Sequence, residues 1–282
     1  GTAGFAHVSC LAEQAKILVA EAEENNLGAK AKQATWNRWH TCSLCKQRYH
    51  GVVSNALGWA CWKTYLGRRE GDWAHMSAMR QLGLGLSATK KYEDALSVCE
   101  AELSVNRRLG ADSEEFEENM RIVQGNLAIN YEKLGRLEDA LRLKRDVYSG
   151  TLKLFGEEHG DTLLAASNYA ASLLGLKRFE EAKALLRRML PVVRRVFGDD
   201  HDTTLRARTI YAAALYYEDA GATFADLREA VATLEDTVRI ARRVLGGTHP
   251  LTTQIEKHLR ESRRALSARE DVDSISDAVG AL

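Results

Sequence analysis

Proline is nearly missing from this chain, with two residues in 282. Neither Pro191 nor Pro250 stands where it must break a helix, so long helical stretches are left intact. Net charge is missing too: Lys plus Arg and Asp plus Glu are 39 each. No overall field therefore selects nucleic acid or acidic lipid. No apolar run approaches the ~18 residues of a membrane span. No basic stretch leads into a long apolar segment, so no secretory leader is expected, and the chain reads as intracellular and cytoplasmic. The five cysteines are too few and too uneven for a disulfide framework. Four of them (Cys10, Cys42, Cys45 and Cys61) lie near the start, and such clustering in an intracellular chain points to metal rather than to bridges. Phosphate loops, nucleophile elbows and HExxH motifs are also lacking. Gly83 and Gly85 fall in a predicted helix with no strand before them, so no phosphate site is expected there, and no catalytic residue is assigned. The chain opens on Gly rather than Met, which suggests a fragment or a processed product.

What is present is a repeat. FGEEHGDT at Phe155 returns as FGDDHDTT at Phe197, 42 residues on, and as LGGTHPLT at Leu245, 48 further. YEDA, LEDA, FEEA and LREA end at Ala95, Ala140, Ala182 and Ala230, in steps of 45, 42 and 48. Two landmarks sharing one spacing, including one six-residue insertion, mark a supersecondary unit stacked about four times. Units of this length cannot each bury a core, so neighbours must stack.

Within a unit the apolar spacing is helical. Leu127, Ala128, Tyr131, Leu134, Leu137, Ala140, Leu141 and Val147 recur at helix period, with a turn at Gly135. Each unit thus reads as an antiparallel hairpin, helix A then helix B. Ala140 and Ala182 are small because the two helices cross there. Gly156, Gly198 and Gly246 suit a left-handed end to helix B, and Pro250 suits the first turn of the following helix. Acids of the linker favour that helix's positive end. His159, His201 and His249 recur in the same linker and read as turn packing. The arginine pairs at 187/188, 194/195, 242/243 and 263/264 read as a solvated face with acids nearby, so no nucleic-acid binding is expected.

Asn126–Ala128, Gly135–Ala140 and Leu245–Pro250 resemble tetratricopeptide repeats, and specifically the long-period kind of kinesin light chains. The resemblance spans roughly residues 72 to 260. It implies an all-α solenoid of about four helical hairpins, preceded by a small partial zinc-finger-like region. The expected organisation is a partial zinc-binding segment over 1–52, a helical linker over 53–71, the array with a capping helix over 72–268, and a flexible tail over 269–282. Ile210 in place of Asn, Lys177 in place of the turn glycine, and the insertion EDAGATFADLREA depart from the pattern. The family's register places Arg80, Gln81, Asn126, Asn168, Arg206 and Thr209 on a concave peptide-binding groove. Lys133, Tyr216 and Tyr217 then lie at its far edge.

Near the start, His7 and Cys10 form one pair at a two-residue gap, and Cys42 and Cys45 form another. Such a gap lets both members face one ion, and zinc takes four N or S ligands. The segment resembles the second half of a RING-CH zinc finger, with His7 and Cys10 matching the third ligand pair and Cys42 and Cys45 the fourth. In that family the pairs serve different ions, which implies two half-built sites holding zinc weakly. Convergence on a single Cys3His site is the alternative. Trp36, Trp39, Tyr49 and Trp59 are expected to pack around the metal, while Cys61 and Cys99 read as buried thiols. The resemblance also implies that Lys46 contacts a ubiquitin-conjugating enzyme. Two functions follow: a noncatalytic adaptor binding a peptide or protein partner, or the substrate-binding body of a ubiquitin ligase whose first zinc-ligand pairs precede Gly1.

Overall fold

A computed structural model describes residues 7–109, 114–217 and 221–280, with side chains except at 114–118 and 271–280. Residues 1–6 of the zinc-like segment, 218–220 of the insertion and 281–282 of the tail lie outside the described residues. The described chain is helical throughout, with twelve α-helices and one short 3₁₀ turn. The one β feature among the described residues is an isolated bridge between Thr41 and Arg48. None of these helices is long and apolar enough to cross a membrane. The chain divides into two compact units, Gly1–Arg136 and Leu137–Leu282.

The first unit holds α1 (Val8–Glu24), α2 (Ala29–Trp36), α3 (Gly51–Tyr65), α4 (Trp73–Ala88), α5 (Tyr92–Leu109) and α6 (Glu114–Lys133). Its start is built on aromatic rings. Trp36 stands 5.3 Å from Tyr65 and 5.1 Å from Trp73, centroid to centroid. Trp39 meets Tyr65 edge-on at 6.0 Å. Ala15, Val19, Cys61, Ala74 and Ala78 fill in around them. Trp36 and Trp39 are thus core, whereas Trp59 is exposed. Burial pushes the Cys61 thiol up, and burial with the nearby Glu102 charge pushes Cys99 up to about 12, as inert interior thiols require. Arg68 clamps the end of α1 with a bidentate pair to Glu23 at 2.6 and 2.7 Å.

α3 lies along α4 as an equal partner rather than as a spacer. A Cβ on Gly58 would meet the Gln81 carbonyl oxygen at 2.9 Å, and one on Gly85 would meet the Ser54 carbonyl oxygen at 2.8 Å. Both contacts are with backbone, so at each point a glycine of one helix lets the main chain of the other come close. Gly85 is there for close packing, not for phosphate.

The second unit holds α7 (Leu137–Phe155), α8 (Gly160–Gly175), α9 (Phe179–Phe197), α10 (Asp202–Tyr216), α11 (Phe224–Leu245) and α12 (Pro250–Gly280). α8 with α9 and α10 with α11 are consecutive A/B pairs, and α12 closes the stack as one more A-type helix. The small residue of each marker is fully buried: Ala140 and Ala182 are 0% exposed, as are Ala95 and Ala230. Ala182 packs with Leu141, Leu173 and Ala214, three other helices meeting where its side chain is short. α9 runs through Pro191 without ending. α12 begins at Pro250, as the sequence predicts, and continues past residue 268 to Gly280.

The turns explain the sequence departures. Gly135 has φ of +75°, and Lys90 and Lys177 take the same left-handed position at +62° and +59°. Lys177 therefore does a glycine's conformational task at some steric cost. The linker glycines differ from the expected left-handed cap. Gly198 (φ 86°, ψ 168°) and Gly246 (φ 87°, ψ 160°) pair a positive φ with an extended ψ, a region open in practice to glycine alone. The chain must leave helix B and turn at once into the next linker, which an αL residue does not allow.

Candidate functional site

The recurrent histidines start the A helices. His159, His201 and His249 each accept a backbone N–H two residues on, from Asp161, Thr203 and Leu251, at 3.3, 3.2 and 3.2 Å. The acceptor is Nδ1, so imidazole here does what a Ser or Asp side chain does at an N-cap. Two of the rings also stack on the last aromatic of the preceding helix B, His159 on Phe155 at 4.5 Å and His201 on Phe197 at 4.6 Å. Capping plus stacking fixes where α8 and α10 begin, and so which side chains they turn inward.

Identical starts give identical rows. Five residues beyond those caps stand Leu164, Arg206 and Gln254; nine beyond stand Asn168, Ile210 and His258. All six line one open cavity of about 240 Å³ between α8, α10 and α12. Its apolar lining is Leu174, Ile210 and the buried Leu251, with the exposed Leu164 beside them, and no Asp or Glu lines it. Asn168 is exposed. Arg206 is tethered to Asp202 by Nε at 2.8 Å, while both remain about half exposed. The Thr209 hydroxyl donates to the Leu205 carbonyl at 2.7 Å, so its one proton is already used within α10.

The structure therefore brings together Asn168, Arg206 and Thr209 of the sequence-predicted groove. The members in the first unit are placed otherwise. Arg80 turns to Glu102 at 3.0 Å and to Asn119 at 3.0 Å. Gln81 is buried, and its amide donates to the Trp39 carbonyl at 3.3 Å. Asn126 is half-buried on α6, and Lys133 is exposed in its last turn. Of the edge tyrosines, Tyr217 is exposed and Tyr216 is buried. Gln254 and His258 were not singled out from the sequence. The signal was available, because the count from His159 and His201 extends unbroken through His249 into the capping helix.

The arginine pairs are mostly spoken for. Arg194 meets Asp199, Arg195 meets Glu158, Arg242 meets Glu256 and Arg263 meets Glu235, all within 2.7 Å. Arg188 donates to the Tyr148 hydroxyl at 2.9 Å. Arg194 and Arg195 brace helix to linker, and Arg242 and Arg263 tie α11 to α12.

The cysteine pairs stand apart from this cavity. His7 is the residue before α1 and Cys10 lies in that helix's first turn, both exposed. Cys42 and Cys45 occupy a tight turn closed by Cys42 N–H to the Gln47 carbonyl at 2.9 Å and Lys46 N–H to the Cys42 carbonyl at 3.1 Å. Lys46 has φ of +60°, and its ammonium donates to the Ser43 carbonyl at 2.7 Å. Hydrogen bonds from the Cys45 and Leu44 N–H groups, then from the Cys45 thiol, lower the Cys42 thiol below its ordinary range. Among the described residues no group of three or more His, Cys, Asp or Glu side chains is placed to hold a metal ion. His7 and Cys10 start a helix, whereas Cys42 and Cys45 sit in a separate turn.

Known proteins agree with the repeat reading. The tetratricopeptide repeat model matches residues 119–190 and 161–221. A putative kinesin light chain from Podosopora anserina with nearly identical TPR-like repeats superposes with a TM-score of 0.55 at 16% identity, over 85% of this chain and 98% of that one. BtubC (BKLC) from P. vanneervenii superposes with a TM-score of 0.53 at 12% identity, over 97% and 93%. No curated protein matches the sequence significantly. Residues 119–221 carry tetratricopeptide repeats, on a helical fold similar to that of kinesin-light-chain-like repeat proteins.

Proposed function

We propose that the chain is a noncatalytic interaction scaffold that holds an extended peptide of a protein partner in the cavity between α8, α10 and α12. The supporting observation is the composition of that cavity. An apolar lining for a side chain lies beside Asn168, Gln254 and Arg206, suited to a peptide backbone and its carboxylates. Panning a displayed random-octapeptide library on the whole chain should enrich binders that compete with one another. Asn168→Ala with Arg206→Ala, both exposed, should leave the melting curve unchanged and weaken those binders about tenfold or more. Undiminished binding would move the site elsewhere.

A second reading concerns zinc, and it draws on the Cys42–Cys45 turn. The backbone amides of Cys45 and Leu44 favour the Cys42 thiolate that a metal needs. Bound there, zinc would tie the turn together with two of its four ligands. His7 and Cys10 would offer the other half-site. We expect substoichiometric, weakly held zinc in the chain; one tight zinc per chain, lost in Cys42→Ser, would refute the half-site view. A contact of Lys46 with a ubiquitin-conjugating enzyme, and a ligase role for a parent protein, require both zinc sites to be complete.

A further inference from the structure

The end of the cavity formed by α12 carries a hydrogen-bond relay. Tyr216, at the end of α10, is buried, and its hydroxyl stands 2.9 Å from Glu261 Oε2 and 2.8 Å from His258 Nδ1. A phenol has one proton. Glu261, when ionised, only accepts, so the Tyr216 proton goes to the carboxylate. The contact with His258 is then satisfied only if Nδ1 carries a proton and donates it to the Tyr216 oxygen. That leaves Nε2, on the opposite edge of the ring, as a bare lone pair. Nε2 has no partner among the described residues, and the ring lines the cavity with a side chain 15% exposed. Burial, opposed by the Glu261 charge and assisted by Lys257, lowers the imidazole below its ordinary range. The ring is therefore neutral near pH 7. The charged side chain among the lining residues is Arg206, a donor. Asn168 and Gln254 can donate or accept, so His258 supplies the one position of fixed acceptor character.

We propose that His258 is a specificity-determining acceptor, taking a hydrogen bond through Nε2 from an amide N–H of a peptide whose aliphatic side chain sits on Ile210 and Leu251. This rests on the peptide-groove reading and sharpens it: the ligand must present an N–H beside its anchoring side chain. Tyr216 and Glu261 act through His258 as positioning residues, because they set its tautomer.

Two measurements on the whole chain test this. Side-chain ¹⁵N spectra at pH 7.5 should show His258 Nδ1 protonated and Nε2 bare, and Tyr216→Phe should erode that preference. A protonated Nε2 in the native protein would overturn the proposal. The second measurement titrates N-acetyl-leucine N-methylamide against its analogue methylated at both amide nitrogens, following the Ile210 and Leu251 methyl signals. The N–H probe should bind several-fold more tightly, about tenfold at most. His258→Phe keeps a ring against Tyr216 and should abolish that ratio while the methyl signals still respond. Equal binding of both probes to the native protein would sink the role of His258 and leave the groove standing. No response from either methyl group to either probe would sink both.

Discussion

Arg80→Ala should destabilise the first unit by about 3–5 kcal/mol, the usual cost of stranding one member of a buried ion pair. Glu102 is fully buried and meets Arg80 through Nε at 3.1 Å and Nη2 at 3.0 Å, while its other oxygen, Oε2, has no hydrogen-bond partner. Removing the guanidinium leaves an uncompensated carboxylate in the interior. Burial already raises the Glu102 carboxyl above its ordinary range, with Arg80 pulling the other way. The pH dependence follows. A carboxyl raised in the folded state is protonated more readily there than in the unfolded chain. The penalty for ionising it grows as pH rises through the interval above the ordinary carboxylate value of ~4.3, and it fades as pH falls. The cost of Arg80→Ala should therefore shrink between pH 8 and pH 5 in urea unfolding, and Arg80→Met with Glu102→Met should recover most of it. A small, pH-independent loss would mean that the pair is not buried as described. On this geometry Arg80 is a structural residue of the A-helix face rather than a free contact for a peptide.

Gly85→Ala should cost about 2–3 kcal/mol, although Ala for Gly inside a helix ordinarily gains up to ~1 kcal/mol. The sign turns on two distances. The new methyl would lie 2.8 Å from the Ser54 carbonyl oxygen and 2.9 Å from the Asn55 Cα. Both atoms are main chain of α3, so no side chain can swing aside and the helices must part. Gly150 on α7 is the control: a Cβ there meets nothing within 4 Å, so Gly150→Ala should stabilise. The comparison needs only thermal melts of the two variants beside the native chain. If both substitutions stabilise, α3 and α4 are not in backbone contact.

The two glycines show where sequence reading stops. Gly85 and Gly150 look alike in sequence, since each sits in a helical pattern without a turn signal. What separates them is a neighbour about thirty residues upstream of one and absent from the other. Gln81 is a similar case. Its place on helix A predicts a groove amide, yet the short 3₁₀ turn at Asn37–Trp39 takes its hydrogen bond at the Trp39 carbonyl. By contrast Asn168 and Arg206 were legible, because their exposure depends only on the repeat register. His258 was legible by the same count and was missed because the capping helix lacks the A/B markers.

Periodicity alone determined that the repeat region is built of helical hairpins, where its glycine turns fall, and which small residues sit at the crossings. Those properties depend on local helix geometry and on a repeat that any unit shares with the next. Which polar side chains stay free to bind was decided by tertiary structure. A carboxylate such as Glu102, or a carbonyl such as that of Trp39, captures a groove residue when packing brings it within about 3 Å. Hydrogen bonds of that length are set by the meeting of distant segments, which the spacing of residues along the chain does not record.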